Sequence, residues 1–235
     1  MLFRSGDGRA DLVIGVPNES VGSQSHAGGV YVVYSRLINS SQFGLAASGL
    51  GIPFRQHWTE DAIPGISSQA GSGFGLALAA GDFNDDAKSD LAIGVPLKTL
   101  SGSVGAGAGV VDVIYGSASG LQTSAAGEVL PQQLRRSTVA AGEHFGSSLT
   151  AWNFGRDEFL TKAGIRLRIR TADLAVGIPG ATVSGQSGAG AVEVFYGRAL
   201  TVPRLQTTNS QVLTEASPGI GLTPRANDHF GAALY

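Results

Sequence analysis

A chain of 235 residues is long enough to bury a sizeable core, either as one large all-β unit or as two smaller domains. Its 35 glycines, its lack of cysteine and its charged content of only 14% speak against a disulfide scaffold and a helical bundle, and suit many short strands joined by tight turns. With 16 Lys+Arg against 18 Asp+Glu the net charge is −2, so no basic field exists to hold nucleic acid or an anionic membrane, and no apolar run approaches the ~20 residues that cross a bilayer.

Met1 is followed by neither the basic nor the apolar region of a signal peptide. The first recognisable block is DLVIGVP, Asp11 to Pro17, and it returns as DLAIGVP from Asp90 and DLAVGIP from Asp173, spaced by 79 (90 − 11) and 83 (173 − 90) residues. After each comes AGGVYVVY ending at Tyr34, AGVVDVIYG ending at Gly116, or AGAVEVFYG ending at Gly197. These segments, Val30 to Tyr34, Val111 to Tyr115 and Val192 to Tyr196, are rich in β-branched and aromatic residues and read as third strands of a blade, with Asp112 and Glu193 facing out. Before the later copies stand GFGLALAAGDF (Gly73 to Phe83), HFGSSLTAWNF (His144 to Phe154) and HFGAALY (His229 to Tyr235). Their small residues fit inner strands converging on an axis. Glu128 to Leu134 and Gln211 to Glu215 read as the irregular outermost strands.

Fixed-period repetition of short strands marks a propeller or solenoid. The expected fold is all-β, with β-propeller blades of four-stranded antiparallel sheets in an incomplete propeller of about three repeats. The chain divides into a partial repeat 1–57, repeats 73–135 and 144–215, and the start of another at 228–235. Open blade edges then imply self-association, and HFGAALY is available to supply the inner strand that the first repeat lacks.

One loop carries chemistry. GDFNDDAKSDLAIG places oxygen donors at Asp82, Asn84 and Asp86, a backbone carbonyl at Lys88 and a carboxylate at Asp90, the spacing 1, 3, 5, 7, 9. With Asp90 bidentate the set reaches about six oxygens, which suits Ca2+ better than the strictly octahedral Mg2+. Carboxylates within ~4 Å repel by roughly 4 kcal/mol per pair at an effective dielectric near 20, so an ordered loop calls for a counter-charge. The same residues also suit a solvated turn between two strands. Ile93, where an EF-hand needs glutamate, and the β-patterned flanks exclude that motif.

FG, then DxNxDxxxD, then DLAIGVP resembles the FG-GAP repeat of integrin α-subunit propellers and their bacterial relatives. The resemblance implies a calcium loop between the first two strands of a blade, with Asp82, Asn84, Asp86, Lys88 and Asp90 as ligands, and a non-enzymatic module that binds a protein or glycan outside the cell or at its surface. Ala87 departs from it, standing where the family has glycine. Similar repeats also accompany a phospholipase D catalytic domain, which leaves an accessory propeller of a secreted hydrolase, or a purely structural module, as alternatives.

The other two loops are degraded. In the first, Asp7, Gly8 and Asp11 match but Phe3 and Ser5 replace the leading ligands; in the third, about 12 residues are inserted before Asp173. That insertion holds Arg166, Arg168 and Arg170, read either as a cation substitute beside Asp173 or as the solvent face of a hairpin. The four histidines form no metal or catalytic pair, no serine sits in a nucleophile elbow, and His144 and His229 precede FG dipeptides as structural residues. Trp58 and Trp152 are expected in the core.

Overall fold

The computed structural model describes residues 2–3, 9–37, 48–100, 105–123, 129–155, 158–160, 166–168, 171–198 and 204–235, of which 2–3, 36–37, 48–54, 158–160 and 166–168 are described by backbone alone. Three antiparallel sheets follow one another along the chain. The first runs β1 (Leu2–Phe3), β2 (Asp11–Val16), β3 (Gly29–Leu37), β4 (Ser48–Trp58) in sequential order. In the second, β5 (Ala77–Gly81) and β6 (Asp90–Val95) lead to β7 (Val110–Ser117), which carries both β8 (Gly120–Gln122) and β9 (Gln132–Leu134). The third begins with β10 (Leu149–Trp152) and, after a separate hairpin of β11 (Glu158–Leu160) and β12 (Arg166–Arg168), continues with β13 (Asp173–Ile178), β14 (Ala191–Phe195) and β15 (Gln211–Leu213). The fold is all-β and open, its sheets arranged as propeller-like blades, and among the described residues the helical content is one 3-10 turn, Glu60–Ala62.

Two apolar layers join the blades. Val13, Val30, Val32 and Trp58 of the first meet Leu91, Ile93, Val110 and Ile114 of the second, while Val111, Val113 and Tyr115 on the opposite face of β7 meet Leu174, Val176 and Phe195 of the third. A central blade is thus covered on both faces, and every residue of β6 and β7 is buried. This overturns the outward placement of Asp112 and Glu193, which are 0% and 6% exposed. Alternation along a strand identifies two faces, but only the neighbouring blade decides whether either meets water.

The FG dipeptides are the pegs between blades. Phe74 and Phe145 are fully buried, each contributing about 1.5–3 kcal/mol by burial. Their N–H groups donate to Ala27 and Ala108 carbonyls of the preceding blade, at 2.9 and 3.1 Å, while Gly75 and Gly146 donate to Gly94 and Gly177 of their own, both at 3.1 Å. The backbones come so close there that a Cβ on Gly94 would lie 2.2 Å from the Gly146 carbonyl oxygen, which is why DLAIGVP carries glycine at its fifth position. Inner strands are equally tight, since a Cβ on Gly81 would sit 2.7 Å from that of Ala172.

HFGAALY behaves differently from the expected inner strand. Phe230 makes the parallel bridge to Gly190 that Phe74 makes to Gly28, but residues 231–235 form no strand, because no ladder partner lies beside them among the described residues. The inner position of the first blade is held by β1, which pairs Leu2 with Leu12.

Candidate metal centre

Asp82 to Asp90 connects β5 to β6 as a loop wound on its own side chains. Asp82 accepts the N–H groups of Asp86 (3.1 Å) and Ala87 (2.8 Å), Asn84 Oδ1 accepts that of Asp86 (3.3 Å), and Asp86 Oδ1 accepts that of Lys88 (2.9 Å). Asp85 and Ala87 take left-handed φ values of 63° and 65°. For Ala87 that conformation costs about 1–2 kcal/mol, as expected where glycine is missing. Lys88 Nζ reaches Asp86 Oδ2 at 3.1 Å and supplies a local cation.

The electrostatics are those of crowded carboxylates. Burial raises the Asp82 pKa against the pull of the Ala87 and Asp86 N–H groups, and the charge of Asp86 adds to the rise. Burial also holds Asp90 well above the usual carboxylate range, with the Asp86 and Asp82 charges pushing the same way. The donor set is all oxygen and fits a hard cation in kind. As folded, however, these oxygens face loop N–H groups, and among the described residues no three acidic, histidine or cysteine side chains gather closely enough to hold an ion.

Asp90 has a second task that the spacing did not reveal. Its Oδ2 accepts the Phe83 N–H and its Oδ1 the Gly116 N–H, both at 2.8 Å, so one fully buried carboxylate ties together the ends of β5, β6 and β7. Asp173 does the same for Phe154 (2.8 Å) and Gly197 (3.0 Å), and Asp11 accepts the Ser35 N–H at 2.8 Å. The aspartate that opens every DL(A/V) block is therefore a strand clamp, present with or without the rest of the loop. A bidentate ion contact at Asp90 would draw on the two oxygens already so engaged.

Asp7, Gly8, Ser5 and Arg170 lie outside the described residues, as do the side chains of Phe3, Arg166 and Arg168, so the proposed arginine beside Asp173 has no described counterpart; the backbone of Arg166–Arg168 forms one arm of a hairpin. His144 and His229 take φ values of 55° and 54° where the earlier repeat has Gly73 at 70°, a turn-forming position. Trp58 is buried at 8% exposure, but Trp152, the last residue of β10, is 73% exposed, against expectation.

Two further constellations lie at the blade junctions. Tyr34 with Gln56, and Tyr115 with Gln132, grip the backbone N–H and C=O of Leu121 and Leu205 in the following blade. Burial pushes the Tyr34 pKa up to about 12, which keeps its hydroxyl a donor. The second is charged: Glu60, 1% exposed, pairs with Lys98 and accepts from Ser72 Oγ, beside the fully buried Asp112. Gln133 donates to Asp112 Oδ1 at 2.8 Å, whereas Oδ2 has no donor. Burial, then the Glu60 charge, pushes the Asp112 pKa up to about 7.

Residues 5–33 and 74–114 match the FG-GAP repeat family. Phosphatidylinositol-glycan-specific phospholipase D of Rattus norvegicus is 35% identical over 122 residues, 50% of this chain and 13% of that protein. Integrin alpha-E of Mus musculus is 42% identical over 89 residues, covering 37% and 7%, and integrin alpha-PS5 of Drosophila melanogaster 27% identical over 178 residues, covering 75% and 14%. The chain thus spans between 7% and 14% of the length of these relatives.

Proposed function

We propose that this chain, an FG-GAP-repeat protein of the integrin-α-like kind, serves as a non-enzymatic, calcium-binding propeller module that presents its loops to a protein or glycan outside the cell or at its surface. The observation that supports it is the Asp82 to Asp90 loop, where oxygen donors stand at alternate positions and burial, with the Asp86 charge adding to it, raises the pKa of Asp82 and Asp90. A bound cation relieves that repulsion. Among the described residues no helix is long and apolar enough to cross a membrane.

Calcium is expected to raise the melting temperature, since binding to the folded form alone adds about 2.7 kcal/mol at a hundredfold excess over Kd. Asp90 is a poor probe of this because it also clamps strands. Asp86→Asn keeps an acceptor for the Lys88 N–H while removing a ligand charge, and it should weaken calcium binding and shrink the melting shift; Asp85→Asn, at an exposed position, should keep it. Calorimetry showing no calcium binding, or identical responses of the two variants, defeats the assignment and leaves a solvated turn.

The phospholipase D match supports a second reading, an accessory propeller beside a hydrolase domain. We also propose self-association through the outer face of the first blade. Ile14 there is 43% exposed, whereas Ile93 and Val176, its counterparts in the next two blades, are fully buried. Light scattering is expected to show a species larger than one chain that dissociates on dilution; a monomer at every concentration refutes it.

A further inference from the structure

The junction between the second and third blades is built short. From Trp58 to Phe74 the first junction uses 16 positions, including the 3-10 turn, and Lys98 reaches across to Glu60 and the Ser67 carbonyl. From Leu134 to Phe145 the second uses 11, and Ala181, with no reach beyond its methyl, stands where Lys98 stands. A cleft of ≈ 860 Å³ opens at this junction, lined by Arg135, Arg136, Ser137, Glu193, Thr207 and Ser210 among others.

Its chemistry is specific. Arg136 is held by Glu143, but Arg135 is exposed and makes no ion pair among the described residues. Glu193 accepts from Ser210 Oγ at 2.6 Å, so one carboxylate is already tied to the wall. Around them stand hydroxyls of Ser137 and Thr207, which offer donors and acceptors in several directions, and the Gln133 amide, which already donates to Asp112 Oδ1 at 2.8 Å. The ring that lines the cleft, Phe195, is only 2% exposed and offers no platform for stacking a neutral sugar. Recognition here runs through hydrogen bonds and the Arg135 guanidinium, which has no ion pair among the described residues and whose planar fork matches a carboxylate.

We infer that this cleft is a binding site for a hydroxyl-rich ligand bearing a carboxylate, a sugar acid, with Arg135 holding the carboxylate and the hydroxyl and amide groups of the rim holding the ring. It deepens the glycan-binding role proposed above and rests on that role. Amide chemical shifts of residues 135–139 and 207–210 should move saturably on titration with D-glucuronate. D-glucose and sodium sulfate should each bind at least tenfold more weakly, the first lacking the charge and the second the hydroxyls. Arg135→Gln, a substitution of an exposed side chain, should weaken glucuronate at least tenfold with the fold retained, as judged by its unchanged melting temperature. Unsaturable shifts, equal affinity in Arg135→Gln, or sulfate binding as tightly as glucuronate overturns the inference. A calcium melting shift in the same sample, with no glucuronate binding, would sink the cleft alone; glucuronate binding with no calcium response would sink the metal assignment alone.

Discussion

Asp173→Ala is expected to cost about 3–5 kcal/mol, because it strips the acceptor from two backbone N–H groups at once, and each bond to a charged group is worth about 1.5–3 kcal/mol. The side chain is 1% exposed and its oxygens hold Phe154 and Gly197, the residues that follow β10 and β14 nearby, so water cannot replace them without opening the blade. In a chain of this size that loss lowers the melting temperature by about 10 °C. Asp173→Asn should lose roughly half as much, since its amide oxygen still accepts one N–H while its NH2 faces the other. The third repeat lacks the oxygen ladder of the second, so the loss must be the same with calcium or chelator. Urea denaturation checks it: a cost below about 1 kcal/mol for Asp173→Ala means the clamp contributes little, and a calcium-dependent cost means the aspartate is a ligand after all.

This clamp shows where the sequence was legible and where it was not. DLAIGVP and AGVVDVIYG announced β6 and β7 because their β-branched runs recur at fixed spacing and end at glycine or proline. The clamping role of the aspartate in the same block is not legible, since a residue that ties three strands and one that ends a ladder of oxygen donors look identical in sequence. Repetition held the clue, as Asp11 and Asp173 persist where the ladder has decayed. The Tyr–Gln grip was hidden for another reason: Tyr34 to Gln56, Tyr115 to Gln132 and Tyr196 to Gln211 span 22, 17 and 15 residues, so no fixed spacing links them. The burial of Asp112 is illegible in sequence because it comes from the first blade, across a sheet interface that no local pattern records.

Asp112 also sets the second expected result, a stability that falls as pH rises from about 4 to about 7. Its folded pKa, about 7, lies above the ordinary aspartate value near 3.9, so the folded chain binds more protons than the unfolded one and each pH unit inside that window costs up to about 1.4 kcal/mol. Across the window the loss reaches about 4 kcal/mol as an upper limit, and it belongs to Glu60 and Asp112 together, because the two carboxyls face one ammonium, Lys98, across the first junction. Below pH 4 the junction holds at most one negative charge beside one positive charge; above 7 it holds two, and Asp112 Oδ2 has no donor to offset the second. Gln133 and Ser72, the other polar groups in contact, are neutral and do not titrate. Asp82, Asp90 and Glu193 are also raised and tilt the whole chain the same way, so the informative quantity is the difference between wild type and Asp112→Asn. The amide preserves size and a Gln133 contact while removing the titration. Asp112→Asn should therefore match wild type near pH 4, exceed it by about 1–3 kcal/mol at pH 8, and show a flatter stability profile between; parallel profiles for the two proteins would mean that the buried pair carries no uncompensated charge.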